Sequence, residues 1–279
     1  MPKTAASLYR PEEHRDSAFH YGQDIGVIAF VMLSWALWHR GYPDQSARAV
    51  HRALALSREL GHAHTLAVAL AHAGMAAVFA RDVATACTCA NNCVTLANEH
   101  GFAFWAAYGR ILQGWADAQR GEAMTGISLI RDGLAATETT GARALTSFYL
   151  ALLAEALAFA GKIEEALATL DDASAKAAAS GEKVGSAEIH RLRGELTGRL
   201  PHPDPAKAEE SFRTALAIAR EQGTRGYELR AATSLARLWR ERGRRGEARD
   251  LLAPLYGSFT EGFDTPDLTE TKALLNQLA

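Results

Sequence analysis

Apolar and polar positions along this chain recur with the period of an α-helix, in blocks of about eighteen residues broken by short turns. Glycines at 61, 101, 141, 181 and 223 are spaced 40, 40, 40 and 42 residues apart. A second series marks a turn midway through each interval: Gly41, Arg81, Gly121, Gly161, a proline-rich stretch at Pro201–Pro205, and Gly243. Glycine suits the left-handed residue that follows a helix end. Two interleaved series therefore predict alternating helices joined by tight turns, with Ala142–Ala160 and Lys162–Ser180 as the type unit. Small residues recur seven positions before the inner turn, at Ser34, Gly74, Gly114, Ala154, Gly194 and Ala236. A second small set follows it, at Ala47, Ala86, Gly126, Ala166, Ala208 and Ala248, with Val50, Ala90, Ile130, Leu170, Phe212 and Leu252 beyond. Paired small residues let two helices approach closely, as in the tetratricopeptide repeat, although the period here exceeds the usual 34 or so.

The expected fold is all-α: a right-handed superhelical solenoid of about six helix hairpins with a C-terminal capping helix. Residues 1–22 fall outside the register and read as the remnant of a preceding repeat or a linker. The array spans 23–258 and the cap 259–279. In the fifth unit Asp204 is expected to cap a helix that opens on Pro205. In the tail, Thr265 and Pro266 should start a helix with Leu268, Thr271, Leu275 and Leu278 on one face. Phe259 and Phe263 should pack over the end of the array.

Composition changes this picture little. A formal net charge of −2 over 279 residues gives no basic excess for nucleic acid or an anionic membrane surface. Cys87, Cys89 and Cys93 lie in one helix-length stretch, which is no disulfide framework and fits a reducing compartment. The start Met1-Pro2-Lys3-Thr4 has no signal core. The apolar stretch Ile25–Trp38 is too short to span a bilayer. The cytoplasm is the expected location.

Four segments resemble a known bacterial family: Tyr21-Gly22-Gln23-Asp24, His190-Arg191-Leu192-Arg193-Gly194-Glu195-Leu196, Ala231–Trp239, and Phe259–Leu268. The resemblance is to the C-terminal tetratricopeptide region of multidomain class III adenylate/guanylate cyclases and related P-loop ATPase regulators. It implies a repeat region that follows cyclase and ATPase domains. The catalytic parts of such proteins have no counterpart here: the P-loop sequence G-x-x-x-x-G-K-[ST] is absent from the chain.

No catalytic residue, metal ligand set or cofactor is therefore expected. Cys93 occupies a slot held elsewhere by Gly133, Ala173 and Ala215, which favours packing over thiolate chemistry. His62, His64 and His72 lack a regular ligand spacing. Glu164-Glu165, Asp171-Asp172 and Glu209-Glu210 are helix neighbours that do not face each other. Arg240, Arg242, Arg244, Arg245 and Arg249 form a basic cluster across a turn and read first as a solvated surface.

The concave face carries the sharper hypothesis. Its first half presents Trp35, Trp38, Phe79, Tyr108 and Trp115, and its second half Arg191, Arg230, Arg237 and Arg240. Either these line an exposed groove, or the superhelix winds tightly and buries the aromatics against itself. The expected function is a non-catalytic regulatory module that docks a peptide or protein there, including cyclase or ATPase domains of its own parent. The alternative is a small-molecule sensor with its ligand among the aromatics; a third reading is nucleic-acid binding through the late arginines. Self-association is left open.

Overall fold

A computed structural model describes residues 6–14 and 17–279. The Met1–Thr4 start and part of the 1–22 segment lie outside the described residues. The described chain is helical throughout. After two short turns at Pro11–His14 and Ser17–Tyr21, six hairpins follow in sequence. They are α1 (Ile25–His39) with α2 (Pro43–Leu60), α3 (Ala63–Ala80) with α4 (Val83–His100), and α5 (Ala103–Gln119) with α6 (Ala123–Thr139). Next come α7 (Thr146–Phe159) with α8 (Ile163–Ser180), α9 (Ser186–Thr197) with α10 (Pro205–Gln222), and α11 (Arg225–Glu241) with α12 (Arg245–Tyr256). The last helix is α13 (Pro266–Leu278). Each odd-numbered helix packs on its own partner and on the next odd-numbered helix, so the odd set forms an inner layer.

The small-residue series sets how closely the pairs meet. A Cβ on Gly114 would sit 2.5 Å from the carbonyl oxygen of Gly126, and one on Gly194 the same distance from the Phe212 ring. In the first unit this slot belongs to Ser46, not to the predicted Ala47, which is exposed. Ser46 is as small as the helix contact requires, and its hydroxyl donates to the Ser34 carbonyl oxygen at 2.7 Å, so its polar group is satisfied inside the contact.

Helix ends follow local rules. Asp24 caps α1 by accepting from the Val27 amide at 2.9 Å, and Asp204 caps α10 with Pro205 in the first turn. The helix predicted from Ala142 starts only at Thr146, because Leu145 takes a left-handed conformation (φ 63°) and turns the chain first. Arg81 also has positive φ (57°), in a turn where other units carry glycine. A non-glycine residue there costs roughly 1–2 kcal/mol.

The array closes on itself. The N-terminus of α11 meets the C-terminus of α1, where Trp38 lies across Gly226 and edge-on to Tyr227 with ring centroids 5.1 Å apart. A Cβ on Gly226 would come within 2.8 Å of the Trp38 ring. The segment after α12 completes the seam. Gln45 donates to Glu261 through its amide (2.9 Å) and its side chain (3.1 Å), and the Gly262 amide donates to Asp44 at 3.2 Å. Phe259 is buried against Gly41 of the first hairpin rather than simply over the last one. Phe263, expected to pack beside it, is instead 49% exposed and touches only Tyr256 among aromatic rings. On α13 the buried face is Leu268, Thr271, Leu274 and Leu278; Leu274 takes the place predicted for Leu275, as the helix rotates to lay Asp267 and Glu270 toward the inner layer.

Two expected outcomes follow from this packing. Gly114→Leu should lose about 1–3 kcal/mol or more, because both nearest contacts belong to a neighbouring helix, whereas Ala47→Leu should stay within about 0.5 kcal/mol. Urea denaturation of the two variants checks this. Gly226→Leu should push Trp38 from its seat and open the seam, which small-angle scattering would read as a larger radius of gyration; an unchanged radius would mean the seam does not hold the array shut.

Candidate functional site

Closure turns the concave face into a cavity of about 230 Å³, walled by α3, α5, α7, α9, α11 and α13. One wall is apolar: Phe79, Trp115, Phe148, Leu152 and Leu196. The other is a lattice of arginines and carboxylates. Arg191 grips Glu188 with two bonds (2.7 and 3.0 Å) and reaches Glu195. Arg230 donates to both oxygens of Asp267 (2.9 and 3.0 Å) and to the Phe79 carbonyl oxygen, and its guanidinium stands over Trp38 at 5.1 Å. Arg237 bridges Glu195 and Glu270, and Arg81 reaches Glu270 (3.0 Å) and Asp267 (3.4 Å).

The inner part of this lattice is deep: the Arg230 side chain is only 9% exposed. Burial alone would raise the Glu188 carboxyl, but Arg191 and Arg230 outweigh it and bring it down to about 2. Burial likewise disfavours the charged form of Arg191 and Arg230, and their carboxylate partners overcome it, so both stay cationic. Removing one member of such a pair strands a buried charge, typically at about 3–5 kcal/mol. Beside them lies Tyr227, 2% exposed, whose hydroxyl has no hydrogen-bond partner among the described residues and which lines the cavity.

Of the residues singled out in the sequence, Phe79, Trp115, Arg191, Arg230 and Arg237 meet in this cavity. Trp115 donates its indole N–H to Glu155 at 2.7 Å. Trp38 is buried at the seam, and Tyr108 is buried between the third and fourth units against Tyr149. Trp35 is half-buried and donates to the His72 carbonyl oxygen at 3.2 Å. Arg240 lies outside the cavity and pairs with Gln277 of α13. The aromatics are thus mainly seam and wall, not an exposed groove. Sequence reasoning missed Arg81, Phe148, Tyr227, Asp267 and Glu270. The available signal was Arg81 itself, a long charged side chain where the turn series calls for glycine.

The other chemistry candidates take structural roles. Cys89 and Cys93 are buried, which pushes their thiols up to about 11 and about 12. His62 caps α3, and His64 sits between the Gly22 carbonyl oxygen (2.7 Å) and the Trp105 indole N–H (2.9 Å). Among the described residues no group of three or more side chains could hold a metal. In the late basic cluster, Arg244 donates to Glu209 and Glu247 at 2.8 Å, and Arg242 lies 3.9 Å from Glu209. Among the described residues one helix, α3, is long and apolar enough to cross a membrane; most of it is buried inside the array as a core helix.

These features define a helical-repeat fold built from tetratricopeptide-like hairpins. No family model matches the chain. It is 28% identical over 237 residues to an uncharacterized protein of Rhizobium meliloti (strain 1021); the match covers 85% of this chain and 23% of that protein, so the chain spans about a quarter of its relative's length. Among solved structures it resembles a Rap protein complexed with competence and sporulation factor (TM-score 0.65, 15% identity, 91% of this chain and 67% of that one). It also resembles apo RapI (TM-score 0.60, 13% identity, 90% and 84%). A third similar structure is a signal transduction ATPase with a tetratricopeptide repeat sensor from Pyrococcus horikoshii (TM-score 0.50, 13% identity, 91% and 38%). At these identities the likeness is one of fold.

Acid sensitivity should come first from histidines. Burial lowers the pKa of His39, with Arg230 adding to the effect, and burial lowers that of His72. Both take up a proton less readily in the folded protein than in the unfolded chain, which protonates below about pH 6.5. Stability should therefore be full above that pH and fall below it, by up to about 1.4 kcal/mol per pH unit for each histidine. The Glu188 contribution, present above the unfolded value of 4.5, is lost only at more acid pH. Urea midpoints between neutral and mildly acid pH check this, and His72→Gln should flatten the slope.

Proposed function

We propose that this chain is a non-catalytic binding module that takes a partner segment or small ligand into its concave cavity. The observation that carries the proposal is the cavity itself: six inner helices from five repeats and the cap converge on one space, with an apolar wall, a charged wall and a buried hydroxyl. Helical-repeat arrays characteristically present concave surfaces for binding. Phe159, half exposed at the margin, offers an aromatic contact at the entrance.

We place this module, as a proposal, in a larger signalling protein of the cyclase or ATPase-regulator kind. Support comes from the four resembling segments, from the much greater length of the Rhizobium relative, and from the fold shared with a repeat sensor. The mechanism follows from closure. Ligand contacts reach both sides of the seam, α3 on one and α11 with α13 on the other, so occupancy favours the closed array over an open one. That change of shape is what an attached enzyme would read. The small-molecule reading gains from the compact concave space, although Trp35, Trp38 and Tyr108 do not line it.

A displayed-peptide array probed with the whole chain tests the docking site. Peptides captured by the wild type should bind at least tenfold more weakly to Phe159→Arg, an exposed change that spares the fold; equal capture by both would place binding elsewhere. In the longer parent, excising 23–258 should alter enzyme output, and unchanged output would remove the regulatory role.

A further inference from the structure

The chemistry of the cavity says more about its ligand than that one binds. Among the described residues, five arginines and five acidic side chains line it, so its charges cancel. Most of the cancellation is local: Arg191 with Glu188, Arg230 with Asp267, and Arg237 with Glu195 and Glu270 are each within bonding distance, whereas Arg199 bonds the Ala158 carbonyl oxygen and Glu155 the Trp115 indole. A polyanion such as a nucleotide would gain from the guanidiniums and lose as much to the carboxylates. A lone cation or anion would leave an unbalanced charge in a partly desolvated space. A ligand with one group of each sign has partners for both and disturbs neither balance.

Size and the second wall narrow the choice. About 230 Å³ is room for on the order of eight waters, the scale of an amino acid and far below a folded segment. Phe148, Trp115 and Leu152 give the same space an apolar surface. The Tyr227 hydroxyl makes no hydrogen bond among the described residues and is itself covered, so a small shift of its ring would bring an unspent donor to a ligand in this space.

We propose that the cavity accepts a zwitterionic ligand of amino-acid or dipeptide size with an apolar side chain. The side chain lies on the aromatic groups, the ammonium faces the Glu195–Glu270 side, the carboxylate faces the arginines, and the Tyr227 hydroxyl, uncovered by a small shift of its ring, donates to it. This rests on the reading that the concave cavity is the ligand site. Free amino acids and the ends of processed peptides share this chemistry.

Isothermal titration of the whole chain tests it with four probes: L-phenylalanine, leucyl-phenylalanine, N-acetyl-phenylalanine amide and inorganic phosphate. The two zwitterions should bind, with the tighter one identifying the source, and the blocked amide and phosphate should bind at least tenfold more weakly. Tyr227→Phe provides a second measurement. Because the hydroxyl makes no internal bond, its loss should leave the melting temperature unchanged or raised, while zwitterion affinity drops about threefold to tenfold. Phosphate or the blocked amide binding as well as the zwitterions would overturn the proposal, as would unchanged affinity in Tyr227→Phe. Failure of all four probes while peptides still bind in a Phe159→Arg-sensitive way would overturn the zwitterion and keep the concave site. Failure of peptides and probes together would remove the site itself.

Discussion

Trp38 against the N-terminus of α11 is the contact on which the rest of the architecture depends. A stack of hairpins is held together only by nearest neighbours, so its two ends have no reason to meet. Here they do. The indole fits across Gly226 because that residue has no Cβ, meets Tyr227 edge-on, and lies under the Arg230 guanidinium. Trp38, with the neighbouring His39 ring also edge-on to Tyr227, thereby joins the first repeat to the sixth, and one arginine ties that joint to α3 through the Phe79 carbonyl oxygen and to α13 through Asp267.

The cavity is a product of this joint. Its aromatic wall comes from repeats early and middle in the chain, while most of its charges come from late repeats and the cap. In an open solenoid those groups would be separated across a groove and hydrated. Brought together and partly desolvated, the arginines and carboxylates must pair closely or be destabilising. The bidentate geometry of Arg191 on Glu188 meets that demand. Arg81 is another part of the same answer: its side chain reaches Asp267 and Glu270 from a backbone conformation that other units reserve for glycine.

The repeat itself was legible because its signal is local. Glycine spacing and paired small residues report turns and close helix contacts within one unit, and these recur at Gly114–Gly126 and at Gly194. Even there the first unit slipped by one, since a serine can fill a slot otherwise held by alanine or glycine. Closure was not legible to the same degree. Trp38 and Tyr227 are 189 positions apart in the chain, and periodicity carries no information about whether a superhelix returns to its start. The exposure of the inner-layer aromatics turned on that return, which the sequence left as one of two alternatives. Nothing local sets Asp267 apart from other acids in a first helical turn, and only the closed arrangement shows it bonded to Arg230. The role of α13 as end cover was read from the sequence; its second role, as charge partner to the inner layer, was hidden for the same reason.

A consequence concerns growth by duplication, the ordinary route by which repeat proteins lengthen. An open stack tolerates one more hairpin anywhere, because each added unit meets only its neighbours. Between α1 and α13 this chain has no such freedom: an extra forty-residue insert would carry Gly226 past Trp38 and Glu261 past Gln45, and both ends would lose their partners at once. The number of hairpins in this stretch is thus set by geometry, as the number of blades is in a propeller, rather than left to drift.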